Sequence, residues 1–188
     1  MRHLITIAAL AGMLLAAGIT RTEAADAQAA VPTSPSQRPA HFALVDAAPS
    51  VDALIGRLLD ALAKSDLAAL HRLRVTEDEY RKFLLPGGSA PGQPPQAYDD
   101  ASSDFAWQML NTNSRYAASG IINGYGGHKY KVKETNYLKG RQEYAWYTAY
   151  RTLSLTLEDE AGAAHELVLG SIADVDGQYK FVSLLGKR

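Results

Sequence analysis

The sequence predicts an α+β domain in which N-terminal helices pack on a curved, mainly antiparallel sheet of four or more strands. Three observations carry that prediction. Between residues 50 and 85, apolar side chains recur at three- and four-residue steps, the period of an amphipathic helix. From residue 129 onward the repeat shortens to two, and Tyr, Trp, Thr and Leu become abundant, as in strands. Turn signals at Lys139-Gly140, residues 158–163 and Asp176-Gly177 divide that region into consecutive segments, which is the layout of an antiparallel meander.

Composition narrows the functional classes. The 188 residues carry 19 Lys plus Arg against 20 Asp plus Glu, a net charge of 19 − 20 = −1. That balance argues against a basic surface tracking nucleic-acid phosphates. Apolar residues make up 47% of the chain, enough to build a core. There is no cysteine, so neither a disulfide framework, a thiolate metal site nor a lipid-accepting Cys is available.

Residues 1–27 read as a signal peptide. A basic start at Arg2 is followed by an apolar run over 4–19 and by small-residue cleavage sites ending at Ala24 or Ala27. The run is shorter than the about 20 apolar residues of a membrane span. The expectation is therefore export, to the periplasm or the medium, with no membrane association after cleavage. Residues 28–49, rich in Ala, Pro, Ser and Gln, read as a flexible leader, although His41-Phe42 and Leu44-Val45 offer apolar groups for docking.

The single domain is expected over residues 50–188. Ser50 is placed to cap a helix carrying Leu54, Ile55, Leu58, Leu59 and Leu62 on one face. Ser65-Asp66 restarts a shorter helix, and Thr76 with Glu79 forms a capping box ahead of a third. Pro86-Gly87-Gly88 stops that helix and opens a Pro/Gly-rich loop over 86–97. A fourth helix is expected from Ser102 or Ser103 to the Gly124–Gly127 region. Strands follow over 129–138, 143–157, 165–175 and 179–185. The second would run about 50 Å if straight at roughly 3.3 Å per residue, so a bend or bulge is predicted.

Two segments resemble the nuclear transport factor 2-like superfamily, the cone-shaped α+β fold shared with ketosteroid isomerase and scytalone dehydratase. Residues 54–70, broken at Ser65-Asp66-Leu67, are similar to its opening helix pair. Residues 170–182, with Asp176-Gly177 before Tyr179-Lys180-Phe181, are similar to its closing hairpin. The resemblance spans about residues 50–188 and implies a pocket between the concave sheet and the helices. Enzymes of this fold place an acid or base inside the cone: an Asp with an oxyanion donor in the isomerases, an Asp-paired His with Tyr in the dehydratases.

The sequence offers Asp104, His128 and Tyr147 as candidates for such catalysis, but Asp104 also reads as a favourable charge at a helix start and His128 as a loop residue. His71 is expected on a solvent face and His165 at a rim. No H-E-x-x-H pattern is present, so no metal or cofactor is expected. For ligand binding, Trp107, Asn111 and Ser114 share a helical face at i, i+4 and i+7, with Tyr147 and Arg151 as partners across the cavity. Tyr144, Trp146, Thr148 and Tyr150 alternate along one strand, and such an aromatic stripe suits a homodimer contact between sheets. The leading expectation is an exported, non-catalytic small-molecule-binding or protein-interaction module. The alternatives are a small isomerase- or dehydratase-type enzyme and an envelope accessory protein.

Overall fold

The computed structural model describes residues 38–185. The expected signal peptide, the first part of the leader and the last three residues lie outside the described residues.

Helices lead, as the pattern requires. Ser50 accepts a hydrogen bond from the Ala53 amide and starts α1, Val51–Ala63, which buries Leu54, Ile55, Leu58, Ala61 and Leu62. Asp66 caps α2, Leu67–Arg72, through the Ala69 amide. The capping box is present: the Glu79 amide donates to Thr76 Oγ1 at 3.2 Å, and the Thr76 amide donates to Glu79 Oε2 at 2.6 Å. It opens α3, Glu77–Glu79, which passes at once into a π-helical turn, Tyr80–Leu84, and a 3₁₀ turn, Pro86–Gly88. Gly87 is needed there, because a Cβ would stand 2.6 Å from the Trp146 Cβ. The last helix, α4, is Asp100–Tyr125. Its cap is Asp99, not Ser102 or Ser103: the carboxylate accepts from the Ser102 amide at 2.7 Å. Asp104 therefore lies in the second turn rather than at the helix start.

Seven strands follow: β1 Lys131–Tyr137, β2 Arg141–Glu143, β3 Thr148–Tyr150, β4 Leu153–Glu158, β5 Ala164–Val168, β6 Ile172–Val175 and β7 Gln178–Phe181. They form two antiparallel sheets, β1-β4-β5 and β2-β3-β6-β7. The fold is α+β, and the sheets lie along four chain paths, each of the first three broken at a bend. β1 and β2 are one path interrupted at residues 138–140, where Leu138 and Lys139 donate to Thr152 and Arg151. Lys139-Gly140 is thus a bend within a path, not the turn between two strands that its turn signal suggested. The reversal falls at residues 144–147, inside the long strand predicted over 143–157. That strand breaks a second time at Thr152, which has φ 58°. Its partner path breaks opposite, at Gly170, where the Leu169 amide donates to Leu153 and the Leu153 amide to Gly170.

Two apolar cores result. The larger joins α1, α2 and α4 to Leu153, Leu155, Leu157, Leu167, Ile172 and Phe181. The smaller joins the π-helical turn residues Phe83 and Leu84 to Trp146, Ala173 and Val175. Because Ile172 and Ala173 are neighbours in β6, the four-stranded sheet is covered on both faces, whereas the sequence led to helices on one face only. The second cover includes residues expected in the flexible leader. Leu44 and Ala48 are buried, Phe42 stacks on Phe83 at 4.1 Å, and Ala48 pairs with Tyr179. This strap, residues 38–49, moves the start of the packed chain ahead of Ser50.

The strap is held by charge as well. Glu79 and Lys180, 3% and 2% exposed, form an ion pair at 2.9 Å. Glu79 Oε1 accepts from the Val45 amide, and Lys180 Nζ donates to the Val45 carbonyl at 2.8 Å. One buried pair thereby satisfies both backbone groups of one strap residue.

Candidate functional site

The sequence-predicted ligand residues separate into two groups. Trp107 and Asn111 line a cavity of about 480 Å³ between the strap, the segment after α2 and α4, together with His71, Arg72, Arg74 and Arg115. Ser114, their predicted neighbour, is fully buried, and its Oγ accepts from the Leu184 amide at 3.4 Å, so it anchors the chain end. Tyr147 packs in the smaller core, stacked on Tyr144 at 4.8 Å, and burial pushes its phenol far above the usual value. Arg151 donates to Gln142 at 2.7 Å beside the strand break. Neither Tyr147 nor Arg151 lines this cavity.

The expected cone interior, between α1 and the sheet, is filled instead by Leu54, Leu58, Leu62 and Leu155, each at most 1% exposed. The cavity lies outside that packed interior. One wall is Val45 and the exposed Asp46 of the strap. A second is Trp107, partly buried, with its ring 5.7 Å from that of Tyr80. The floor is Arg74.

Arg74 is the unusual group. Its backbone bridges to Phe181 in β7: the Val75 amide donates to Phe181 and the Phe181 amide donates to Leu73. The residue is therefore fixed on the sheet edge, 5% exposed. Nη1 donates to Asn111 Oδ1 at 3.3 Å. Nε and Nη2 are buried and have no hydrogen-bond partner among the described residues. Burial, then the charge of Arg115, lowers its pKa to about 10, so it still carries a full charge at neutral pH. The neighbouring cations are mostly matched: Arg72 lies 4.0 Å from Asp66, and Lys180 pairs with Glu79. Among the described residues, no carboxylate lies within ion-pair distance of Arg74 or Arg115. His71, on the same lining, is held below its usual pKa by burial, then by Arg74 and Arg115.

No family model, curated protein or solved structure matches this chain.

The catalytic candidates do not converge. Asp104 is exposed and bonded to Arg81 at 2.5 Å. His128 is exposed, with its ring 6.3 Å from that of Tyr130. His165 Nε2 lies 2.7 Å from Asp159, whose other oxygen accepts from the Ala161 and Ala163 amides. That pair fastens the β4–β5 turn. The aromatic stripe is also broken up, because residues 144–147 form a reversal. Trp146 is buried in the smaller core, while Tyr150 packs against the larger one between Tyr137 and Tyr179.

Arg74 and Arg115 were the residues missed, and His71, expected on a solvent face, lines the cavity. Arg115 follows Trp107 and Asn111 at i+8 and i+4, so helical spacing already places it on their face. Nothing local in the sequence marks Arg74 as buried, because its place follows from the bridge to Phe181 in β7. A second cavity of about 450 Å³ lies between the C-terminal half of α4 and β5, against Tyr116, Ile121, Tyr125 and Val168.

Proposed function

We propose that this protein is an exported, non-catalytic binding module, and that its ligand is a small anionic molecule held in the cavity at Arg74. The observation that carries this reading is an arginine only 5% exposed and charged at neutral pH, whose Nε and Nη2 have no acceptor and no carboxylate beside them among the described residues. Buried donors in folded proteins nearly always find acceptors, and an unmatched charged group is strongly unfavourable. An anion docking here supplies both the missing acceptor and the missing charge. Arg74 cannot give up its proton at neutral pH, so it suits holding an anion rather than proton transfer.

Export rests on the composition of residues 1–27. Among the described residues, no helix is long and apolar enough to cross a membrane. The order of elements, with helices before a bent four-path meander, supports the resemblance to the nuclear transport factor 2-like superfamily. The cavity proposed here lies outside the interior where that fold places its pocket. A proton-transfer reading would fall on His71, the lining imidazole kept neutral by burial. Turnover lost in His71→Gln with binding retained would establish it.

The test is a thermal-shift screen of the mature protein against carboxylates, phosphate and sulfate at constant ionic strength. At least one anion should raise the melting temperature saturably in the wild type and not in Arg74→Gln. If no anion stabilises the wild type, or if the variant responds equally, the reading fails.

A further inference from the structure

Resting on the anion-binding reading, we infer that the ligand is a carboxylate carried on a flat ring, an aryl carboxylate, gripped by the Nε/Nη2 edge of Arg74 and stacked on Trp107. The two unmatched nitrogens are not arbitrary. Nη1, on the side of Cδ, is used by Asn111. Nε and Nη2 form the opposite edge of the guanidinium, where two N–H bonds run parallel at the spacing of two carboxylate oxygens. One free edge matches one carboxylate. A phosphate dianion would draw on further donors, and of the other lining cations only Arg115, exposed on α4, has no carboxylate partner among the described residues, since Arg72 and Lys180 face Asp66 and Glu79.

The walls select the rest of the molecule. Trp107 offers a partly buried indole, with Tyr80 tilted at 39° beyond it, and Val45 and Val75 add apolar surface. An offset-stacked ring gains more on such a wall than a flexible chain, which must also be ordered. The volume, about 480 Å³, lies in the range that holds small organic ligands.

Entry requires the guanidinium edge to meet the cavity. It is tethered by a single long bond of 3.3 Å, so turning it sacrifices little. The turn frees Asn111, whose amide can then donate to the second lone pair of a bound oxygen. Arg115, exposed on the next turn of α4, adds long-range attraction without competing for the fork.

The experiment is isothermal titration of the mature protein with four probes: benzoate, benzamide, acetate and inorganic phosphate. Benzoate should bind tightest, and benzamide, the same shape without the charge, should bind about tenfold more weakly or worse. Arg74→Lys, which keeps the charge but loses the fork, should weaken benzoate by about tenfold or more. Trp107→Leu should weaken benzoate and leave acetate unchanged, and it keeps the test sound if the Arg74 variant does not fold. Phosphate binding tighter than benzoate would overturn the carboxylate while leaving an anion site intact. Acetate equal to benzoate would overturn the ring. Binding of none of the three anions would remove both this inference and the reading beneath it.

Discussion

Replacing Arg74 with methionine should make the protein more stable while abolishing anion binding. The sign follows from the hydrogen-bond inventory. Two buried nitrogens without an acceptor, Nε and Nη2, each carry a penalty of about 1–3 kcal/mol, and the substitution removes both. Against this stands the loss of one charge-assisted bond to Asn111, worth about 1.5–3 kcal/mol, and here long at 3.3 Å. Methionine follows the path of the aliphatic stem and fills irregular space, so the packing loss is small. The balance is a gain of about 1–3 kcal/mol, or a rise in Tm of about 3–9 °C for a domain of this size. Circular-dichroism melts at pH 7, in a buffer free of carboxylate and phosphate, would measure it. Added benzoate should then reverse the ranking, since ligand at about 100 times its Kd adds about 2.7 kcal/mol to the wild type alone. An Arg74→Met protein that melts at or below the wild type without ligand would refute the reasoning. It would mean that the guanidinium is already satisfied in solution, leaving no deficit for a ligand to repair.

Three further outcomes are expected. Lys180→Met strands the Glu79 carboxylate in the core and should cost about 3–5 kcal/mol in urea denaturation, whereas Glu79→Gln combined with Lys180→Met should recover much of that loss; a double variant as weak as the single one would show that charge burial is not the cause. Gly170→Ala should destabilise by about 1–3 kcal/mol, because its Cβ runs into the Ser183 hydroxyl and carbonyl, while Gly120→Ala, with open space around it in mid-α4, should stabilise by about 0.5–1 kcal/mol. The third concerns pH and His71. Burial, Arg74 and Arg115 lower its folded-state pKa, so as pH falls below about 6.5 the unfolded chain takes up a proton first and the ligand-free protein loses stability. The loss levels off once the folded-state pKa is passed. A bound anion draws that proton in, so benzoate affinity should rise from pH 7.5 to 5.5, measured by titration at both. Arg72 and Asp46 share the lining, and His71→Gln should flatten the profile.

Local grammar was legible wherever the partner of a group lies within a few residues. Ser50, Asp66 and Thr76 cap helices because their acceptors reach amides three positions on, and the sequence shows both ends of each bond. The bends were not legible. Gly140, at φ 67°, signals a left-handed residue, but the same signal serves a hairpin turn and a bend within one path, and only pairing with Arg151 decides between them. Thr152 adopts φ 58° against the preference of a β-branched residue, so nothing local announces the break there. Part of the candidate ligand face was readable because Trp107 and Asn111 lie on one helix. Arg74 comes from another segment, and its place opposite them depends on the pairing of residues 73–75 with β7, a contact set by the tertiary fold.

The strap imposes an order on folding. Leu44 bonds to Gln178, Val45 to Lys180 and Arg38 to Asp176, contacts that each span more than 130 residues of chain. As the chain is synthesised from its N-terminal end, Phe42 and Leu44 are made early and find their seats only when β7 exists. Such non-local closure is slow, because loop entropy is surrendered before the contact repays it. A cavity wall made of Val45 and Asp46 is therefore among the last parts of the domain to form. The proposed site is thus completed in the final closing step, and a chain interrupted before residue 180 would lack it.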